Sequence, residues 1–271
     1  MPELPEVETT RRGIESALLG RRVLDVIVRD RRLRWPVEPG FERRVRGEAA
    51  LAVERRAKYL LLRFPAGTAI VHLGMSGSLR VLGAGTPPLI HDHWDLVLEG
   101  GQVLRFHDPR RFGSLHWTSA DPALHPLLQD LGPEPLSTAF DGEHLFRASR
   151  RRRVAIKLLI MNSHIVVGVG NIYASEALFR ARLRPTRAAQ RLSRAQAAAL
   201  AQAIREVLAE AIAIGGTTLR DYVNADGVPG YFRQQLFVYE RGGAPCRVCG
   251  TAIRQVTQGQ RSTYYCPSCQ D

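Results

Sequence analysis

All four cysteines of this 271-residue chain fall in its last 26 residues, as Cys246-x2-Cys249 and, sixteen residues on, Cys266-x2-Cys269. Each Cys-x-x-Cys pair sets two thiolates on one tight turn, and two such turns facing each other supply tetrahedral S4 ligation. Soft thiolates in a closed site suit one structural Zn2+. A catalytic zinc needs an open position, which four cysteines do not leave. The residues between the pairs, with Arg254, Arg261 and Thr263-Tyr264-Tyr265, read as a hairpin carrying basic groups. Such a hairpin is either a phosphate-binding arm or a structural knuckle with solvated arginines.

The other end of the chain offers a second chemistry. Removal of Met1 would leave Pro2 with a free secondary amine, and an α-amino pKa of about 7.7–8.0 keeps a sizeable neutral fraction near pH 7. A neutral amine can attack an aldehyde-level carbon and give an iminium. Glu3 and Glu6 lie close by as acid–base candidates. A Pro-Glu start without any catalytic role is the plainer alternative. Lys58 and Lys157 are the only lysines among 38 basic residues. Each either answers a need for a compact ammonium that can lose its proton, or survives by chance in an arginine-rich composition.

The formal net charge is +12. A soluble domain so basic repels itself, so a polyanionic partner is expected, nucleic acid first. With 45% hydrophobic and 24% charged residues, a disordered chain, a collagen-like fibre and a disulfide scaffold are excluded. No run of 18 apolar residues occurs, so no membrane span is expected. The start is acidic and lacks an apolar segment, so no secretory signal is expected, and the expected location is the cytoplasm, at the nucleoid.

These groups need elements to hold them. Val7, Ile14, Leu18 and Leu19 recur at helical spacing, which predicts a helix over residues 5–19 stopped by Gly20. Short apolar runs follow at 23–28, 60–64, 69–73, 96–98 and 103–106, with Gly100-Gly101 as a hairpin turn. They predict an antiparallel sandwich or barrel up to about residue 118. Residues 121–140 are rich in Pro and Gly and read as a linker. The texture then turns helical, with a long helix over residues 193–214 capped by Ser193 and ended by Gly215-Gly216.

Pro2-Glu3-Leu4-Pro5-Glu6-Val7-Glu8-Thr9 resembles the start of the bacterial formamidopyrimidine-DNA glycosylase family. Arg55 to Leu60, the His72-Leu73-Gly74-Met75-Ser76-Gly77 run, Asp108-Pro109-Arg110-Arg111-Phe112-Gly113, the Gly168 to Glu176 stretch and the cysteine tail are similar to that family in the same order. Leu4 resembles this family rather than its relative endonuclease VIII, which usually has Gly there. The resemblance implies an α+β fold. Its parts are an N-terminal β-sandwich with an N-terminal helix (residues 1–120), a linker (121–140), a helix-two-turn-helix DNA-binding domain (141–240) and a zinc-finger hairpin (241–271).

The implied activity is base excision repair: removal of oxidised purines such as 8-oxoguanine and formamidopyrimidines from damaged double-stranded DNA, then β,δ-elimination at the abasic site. The resemblance makes Pro2 the Schiff-base nucleophile at C1′ and Glu3 the donor that opens the sugar ring. Lys58 and Arg261 become the donors for β- and δ-elimination, although an arginine is a poor general acid and Arg261 better suits holding a phosphate. Met75, Arg110 and Phe112 match the wedge that fills the hole left by the flipped nucleotide. Ordinary core packing is the alternative for Met75 and Phe112. His72, His91, Arg111, Arg153, Lys157 and Asn171 are the further expected DNA contacts. The His91-Asp92-His93 triplet is weak as a metal site. Residues 217–230 match a loop that covers the flipped base. Met161-Asn162-Ser163-His164 departs from the family's usual pair in the first turn of the helix-two-turn-helix, which bears on the geometry of that turn. A monomer is expected. Two other readings stand beside this one: an endonuclease VIII-like enzyme for oxidised pyrimidines, and a non-catalytic zinc-dependent DNA-binding protein, which would have no use for Pro2, Glu3 and Lys58 together.

Overall fold

The computed structural model describes residues 2–216 and 235–271. They form two compact units, one of residues up to 129 with 214–216, the other of residues 130–213 and 235–271.

The first unit opens with α1 (Leu4–Leu18), one residue earlier than the periodicity predicts. A capping box starts it. The Glu3 carboxylate accepts the Glu6 backbone N–H, and Glu6 Oε2 accepts the Glu3 N–H at 2.8 Å. Pro5 sits in the first turn, where a missing N–H leaves no helical bond unmade. The strands follow: β1 (Val23–Val28), a short α2 (Phe41–Val45), β2 (Ala52–Arg56), β3 (Tyr59–Phe64), β4 (Gly67–His72), β5 (Ser78–Gly83), β6 (Asp92–Leu98), β7 (Gln102–His107) and β8 (Ser114–Thr118). They pair antiparallel into two four-stranded sheets, ordered β1-β6-β7-β5 and β2-β3-β4-β8. Val26, Leu96 and Leu104 from one sheet and Leu60, Leu62 and Leu115 from the other share a single apolar core with Ile14 and Leu18 of α1. Each fully buried side chain of this kind contributes about 1.5–3 kcal/mol. The sandwich expected from the sequence is present, and Gly100 and Gly101, at φ +94° and +78°, make the turn between β6 and β7.

The second unit contains α3 (Gly142–Ser149), α4 (Ile156–Ile160), α5 (Asn171–Arg180), α6 (Arg194–Ala213), β9 (Arg254–Gln258) and β10 (Arg261–Tyr265). The long helix packs through Leu200, Ile204, Val207, Leu208 and Ala211. Ser193 caps it as expected: its hydroxyl accepts the Gln196 N–H at 3.2 Å, and Gln196 Oε1 accepts the Ser193 N–H at 3.1 Å. The cysteine tail is stitched to the helices. Gln270 Nε2 donates to the Leu183 carbonyl at 2.8 Å, and the Arg184 N–H donates to the Asp271 carbonyl at 2.8 Å. The Pro- and Gly-rich segment 121–140 is not slack. Pro122–Leu124 is a 3-10 turn capped by Asp121, and Phe140 is fully buried, with its carbonyl bonded to Arg205.

Ser193→Ala removes one half of the box on α6 and strands the Gln196 N–H. Unfolding free energy should fall by about 1 kcal/mol, measured by denaturant melts, while Ser193→Asp should keep most of it.

Candidate active site

Pro2 and Glu3 are both buried at the head of α1. Glu6, expected as a second acid–base group, instead spends one carboxylate oxygen on the Glu3 N–H. Thr10 Oγ1 donates to the Glu6 carbonyl at 2.9 Å. Gly216, at φ +81°, brings backbone against the same carboxylate, since a Cβ there would stand 3.1 Å from Glu6 Oε1. The expected covering loop, 217–230, lies outside the described residues.

Lys58 occupies the tight turn between β2 and β3, where Arg56 pairs with Tyr59. Ala57, the first turn residue, is buried at φ +55°, a left-handed conformation that costs a non-glycine residue about 1 kcal/mol or more. Arg55 braces this turn by donating to the Ala57 carbonyl at 3.0 Å and to Glu8 at 3.1 Å. Burial pushes the Glu8 carboxyl up, but Arg12, Arg11 and Arg55 outweigh it and hold the group below its ordinary value. One strand away, the His72 ring lies 4.9 Å from Tyr59, and His72 Nδ1 accepts the Gly74 N–H at 3.0 Å. Burial first, then the Lys58 and Arg34 charges, push His72 down to about 4. His72 is therefore neutral at pH 7, with its proton on Nε2 and a donor left for a ligand.

Met75 and Phe112 stand on neighbouring loops of this unit, 39% and 42% exposed. That exposure sets aside ordinary core packing for both. Arg110 lies with its guanidinium carbon 5.2 Å above the Phe112 ring. Arg111, at φ +55°, pairs with Asp30 at 2.8 Å. His91 precedes β6 and meets His107 edge-on at 6.0 Å. Its neighbours are committed elsewhere: Asp92 to His107 and the Leu89 N–H, His93 to the Asp108 carbonyl. Among the described residues the triplet belongs to no cluster of metal-ligating groups.

The second unit holds Lys157, expected from the sequence as a DNA contact. Its side chain is wholly buried. The ammonium donates to Asn171 Oδ1 at 2.6 Å, Thr263 Oγ1 at 2.7 Å and the Ser262 carbonyl at 3.4 Å, and Asn171 Nδ2 donates to the same carbonyl at 3.0 Å. Lys157 thus joins α4, the first residue of α5 and β10. Nothing in the sequence separates a buried lysine from an exposed one, apart from the apolar residues that flank it. Gly259 and Gln260, at φ +53° and +60°, form the primed turn that right-twisted hairpins favour, and they set Arg261 exposed at the tip. Arg153 is exposed before α4. The unusual 161–164 turn is closed by Asn162, whose Oδ1 accepts the His164 N–H at 3.0 Å. Sequence reasoning also missed Glu176, buried on α5, which accepts the N–H groups of Phe237, Val238 and Tyr239 at 2.8–2.9 Å. Burial raises its carboxyl above the ordinary value despite those donors.

The four cysteine sulfurs lie within 4.8 Å of one another, with Cys246–Cys269 at 4.0 Å and Cys249–Cys266 at 3.5 Å. Tetrahedral Zn–S bonds of about 2.3 Å require sulfurs about 3.8 Å apart, so the set fits zinc. Val248 and Cys269 backbone N–H groups donate to Cys246 and Cys266 sulfur, each at 3.4 Å, which favours thiolate ligands.

Known proteins align with nearly the whole chain. The formamidopyrimidine-DNA glycosylase N-terminal domain matches residues 1–115, the formamidopyrimidine-DNA glycosylase H2TH domain residues 131–223, and the zinc finger found in FPG and IleRS residues 243–271. The chain is 60% identical over 270 residues to the formamidopyrimidine-DNA glycosylase of Thioalkalivibrio sulfidiphilus and 59% identical over 270 residues to that of Methylococcus capsulatus, with 100% of both chains covered each time. Among solved structures, the MutM (Fpg) protein from Thermus thermophilus matches with TM-score 0.88 and 43% identity over 99% of this chain and 98% of that one. Lactococcus lactis Fpg in complex with an abasic-site DNA matches with TM-score 0.92 and 31% identity, covering 99% of each chain. Among the described residues no helix is long and apolar enough to cross a membrane.

Two outcomes follow from the geometry. Cys249→Ser should lower zinc content, loosen the hairpin and weaken DNA affinity in step, read by metal analysis and binding on one preparation. His72 makes stability fall in acid. Below about pH 6.5 the unfolded chain takes up a proton that the folded chain refuses until about 4. Its contribution is complete above that window and lost as pH falls through it. His72→Gln should flatten this part of a stability–pH curve.

Proposed function

Because the chain belongs to the formamidopyrimidine-DNA glycosylase family, we propose that it removes oxidised purines, 8-oxoguanine and formamidopyrimidines, from duplex DNA and then cuts the abasic strand by β,δ-elimination through Pro2. The observation that carries this reading is the buried Pro2–Glu3 pair held at the capped start of α1. A reactive amine must be held still, and chain termini ordinarily fray.

With Met1 removed, the Pro2 nitrogen attacks C1′. The N–C1′ bond forms as the glycosidic bond breaks and the base leaves with a proton. Glu3 protonates O4′, opening the sugar and leaving an iminium. A secondary amine gives an iminium without an N–H, so its positive charge cannot be discharged there and instead acidifies the C2′ hydrogen. Loss of that proton expels the 3′ phosphate, and a second elimination expels the 5′ phosphate. Lys58, braced by Arg55 on the β2–β3 turn, serves the first elimination. Arg261 steadies phosphate charge during the second. Water then releases Pro2.

Met75, Arg110 and Phe112 act as the wedge, with Arg110 offering donors to the orphaned cytosine. His72, His91, Arg111, Arg153 and Asn171 hold the backbone, and Lys157 contributes through Asn171 and the hairpin. The zinc ion supplies structure to that hairpin and takes no part in bond breaking. The protein acts as a monomer in the cytoplasm, at the nucleoid.

Borohydride should trap a covalent adduct on a duplex holding 8-oxoguanine opposite cytosine. Binding without an adduct would leave a non-catalytic DNA-binding protein, and faster trapping on oxidised pyrimidines would favour the endonuclease VIII-like reading. Glu3→Gln should lose about 10²–10⁴-fold in single-turnover excision with binding retained. Protein that keeps Met1 has an amide at Pro2 and should be inactive. Mass spectrometry of an active preparation showing intact Met1 would overturn the assignment.

A further inference from the structure

Met75 and the Arg110–Phe112 run stand on separate loops, and one carboxylate reaches both. Asp108 is completely buried. Its Oδ1 accepts the Ser76 hydroxyl at 2.7 Å and the Arg110 N–H at 3.2 Å, and its Oδ2 accepts the Gly113 N–H at 2.8 Å. Ser76 adjoins Met75, while Arg110 and Gly113 bracket Phe112. The backbone of Asp108 is fixed separately: its N–H donates to the His91 carbonyl at 3.0 Å, and its own carbonyl meets His93 Nε2 at 2.8 Å. The loops therefore settle on a carboxylate that cannot follow them. They also touch directly. Gly74 is at φ +67°, and a Cβ there would stand 2.4 Å from Gly113 N and Phe112 C.

We propose that Asp108 is a positioning residue for lesion extrusion, fixing Met75 relative to Arg110 and Phe112 so that the three enter the duplex already arranged. The proposal rests on the wedge reading of those side chains. Exposed side chains on slack loops would have to be ordered at the moment of insertion, which opposes unstacking of the base. Charge-assisted bonds to one buried carboxylate complete that ordering beforehand. Asparagine cannot replace it. With one acceptor oxygen and one NH2, either rotamer sets a donor against a donor, the Gly113 N–H in one case and the Arg110 N–H in the other.

The test uses the full chain as wild type, Asp108→Asn, Ser76→Ala and Phe112→Ala. The duplex carries 8-oxoguanine opposite cytosine with 2-aminopurine beside the lesion, and a second duplex carries a preformed abasic site. Asp108→Asn should slow single-turnover excision of 8-oxoguanine about tenfold or more and blunt the 2-aminopurine unstacking signal. Cutting at the abasic site, where no base has to be unstacked, should change by less than about threefold. Ser76→Ala, which removes one small donor, should show the same pattern more weakly, and it carries the test if Asp108→Asn does not fold. Equal losses on both substrates that track a lowered melting temperature would mean a merely structural role and overturn the proposal. So would wild-type excision in Asp108→Asn while Phe112→Ala is impaired. Wild-type excision and fluorescence in Phe112→Ala would instead bring down the wedge reading itself.

Discussion

The exchange of backbone N–H groups between Glu3 and Glu6 is the constraint on which the first unit turns. An N-terminal amine is useful as a nucleophile only if the first residues are immobile, and in most chains they are not. Here immobility comes from making Glu3 the cap and Leu4 to Glu6 the first turn of a helix, then burying that helix through Val7, Ile14 and Leu18 against a two-sheet core. The cap explains a pattern that chemistry alone would not require. Glu6 is present for Glu3's backbone, Pro5 because its ring suits the first turn, and Thr10 because its hydroxyl closes on the Glu6 carbonyl.

The second unit solves a related problem with a buried cation. Removing an ammonium from water costs several kcal/mol unless acceptors surround it. Lys157 meets that condition with Asn171 Oδ1, Thr263 Oγ1 and the Ser262 carbonyl. Asn171 is 14 residues from the lysine but Ser262 and Thr263 are 105 and 106 away, so one side chain sets α5 and the hairpin in a common frame. A guanidinium is planar and longer and could not converge on the same three oxygens. This accounts for a lysine persisting where nearly every other cation is arginine. Arg261, one residue before Ser262, inherits its placement from this pin and from the Gly259 turn packed on Leu158.

Much of this was legible in the sequence where the signal is local. Cysteine spacing gave the zinc set, Ser193 announced a helix start, Gly100-Gly101 a hairpin, and the spacing of short apolar runs a sandwich or barrel. The misses share a cause, which is that they depend on partners distant along the chain. Asp108 stands in the sequence only as the first residue of a family-like run, with nothing local to mark its partners. Only pairing of β4 with β8 and of β5 with β7 carries Ser76 and Gly113 to it. Glu176 reads as an ordinary helix carboxylate until residues 237–239 return to it. Lys157 reads as a DNA contact, and its burial shows only once β10 closes over it. The 121–140 segment reads as a linker, and the boundary between the two compact units does fall inside it, at Gln129 and Asp130; what Pro and Gly do not reveal is that Phe140 is fully buried.

The charge and the two hubs divide the work of recognition. A net charge of +12 attracts any duplex alike, because phosphates carry no sequence or damage information. That term brings the protein to DNA and weakens with salt, but it cannot separate a lesion from the excess of sound bases. Discrimination has to come from the energy of extruding one nucleotide, a few kcal/mol that differs between damaged and intact pairs. A difference so small is preserved only if the inserting groups contribute no reorganisation cost of their own. Asp108 and Lys157, each buried with several bonded partners, meet that condition for the loops they bind, within the proposed reading of the wedge and the hairpin.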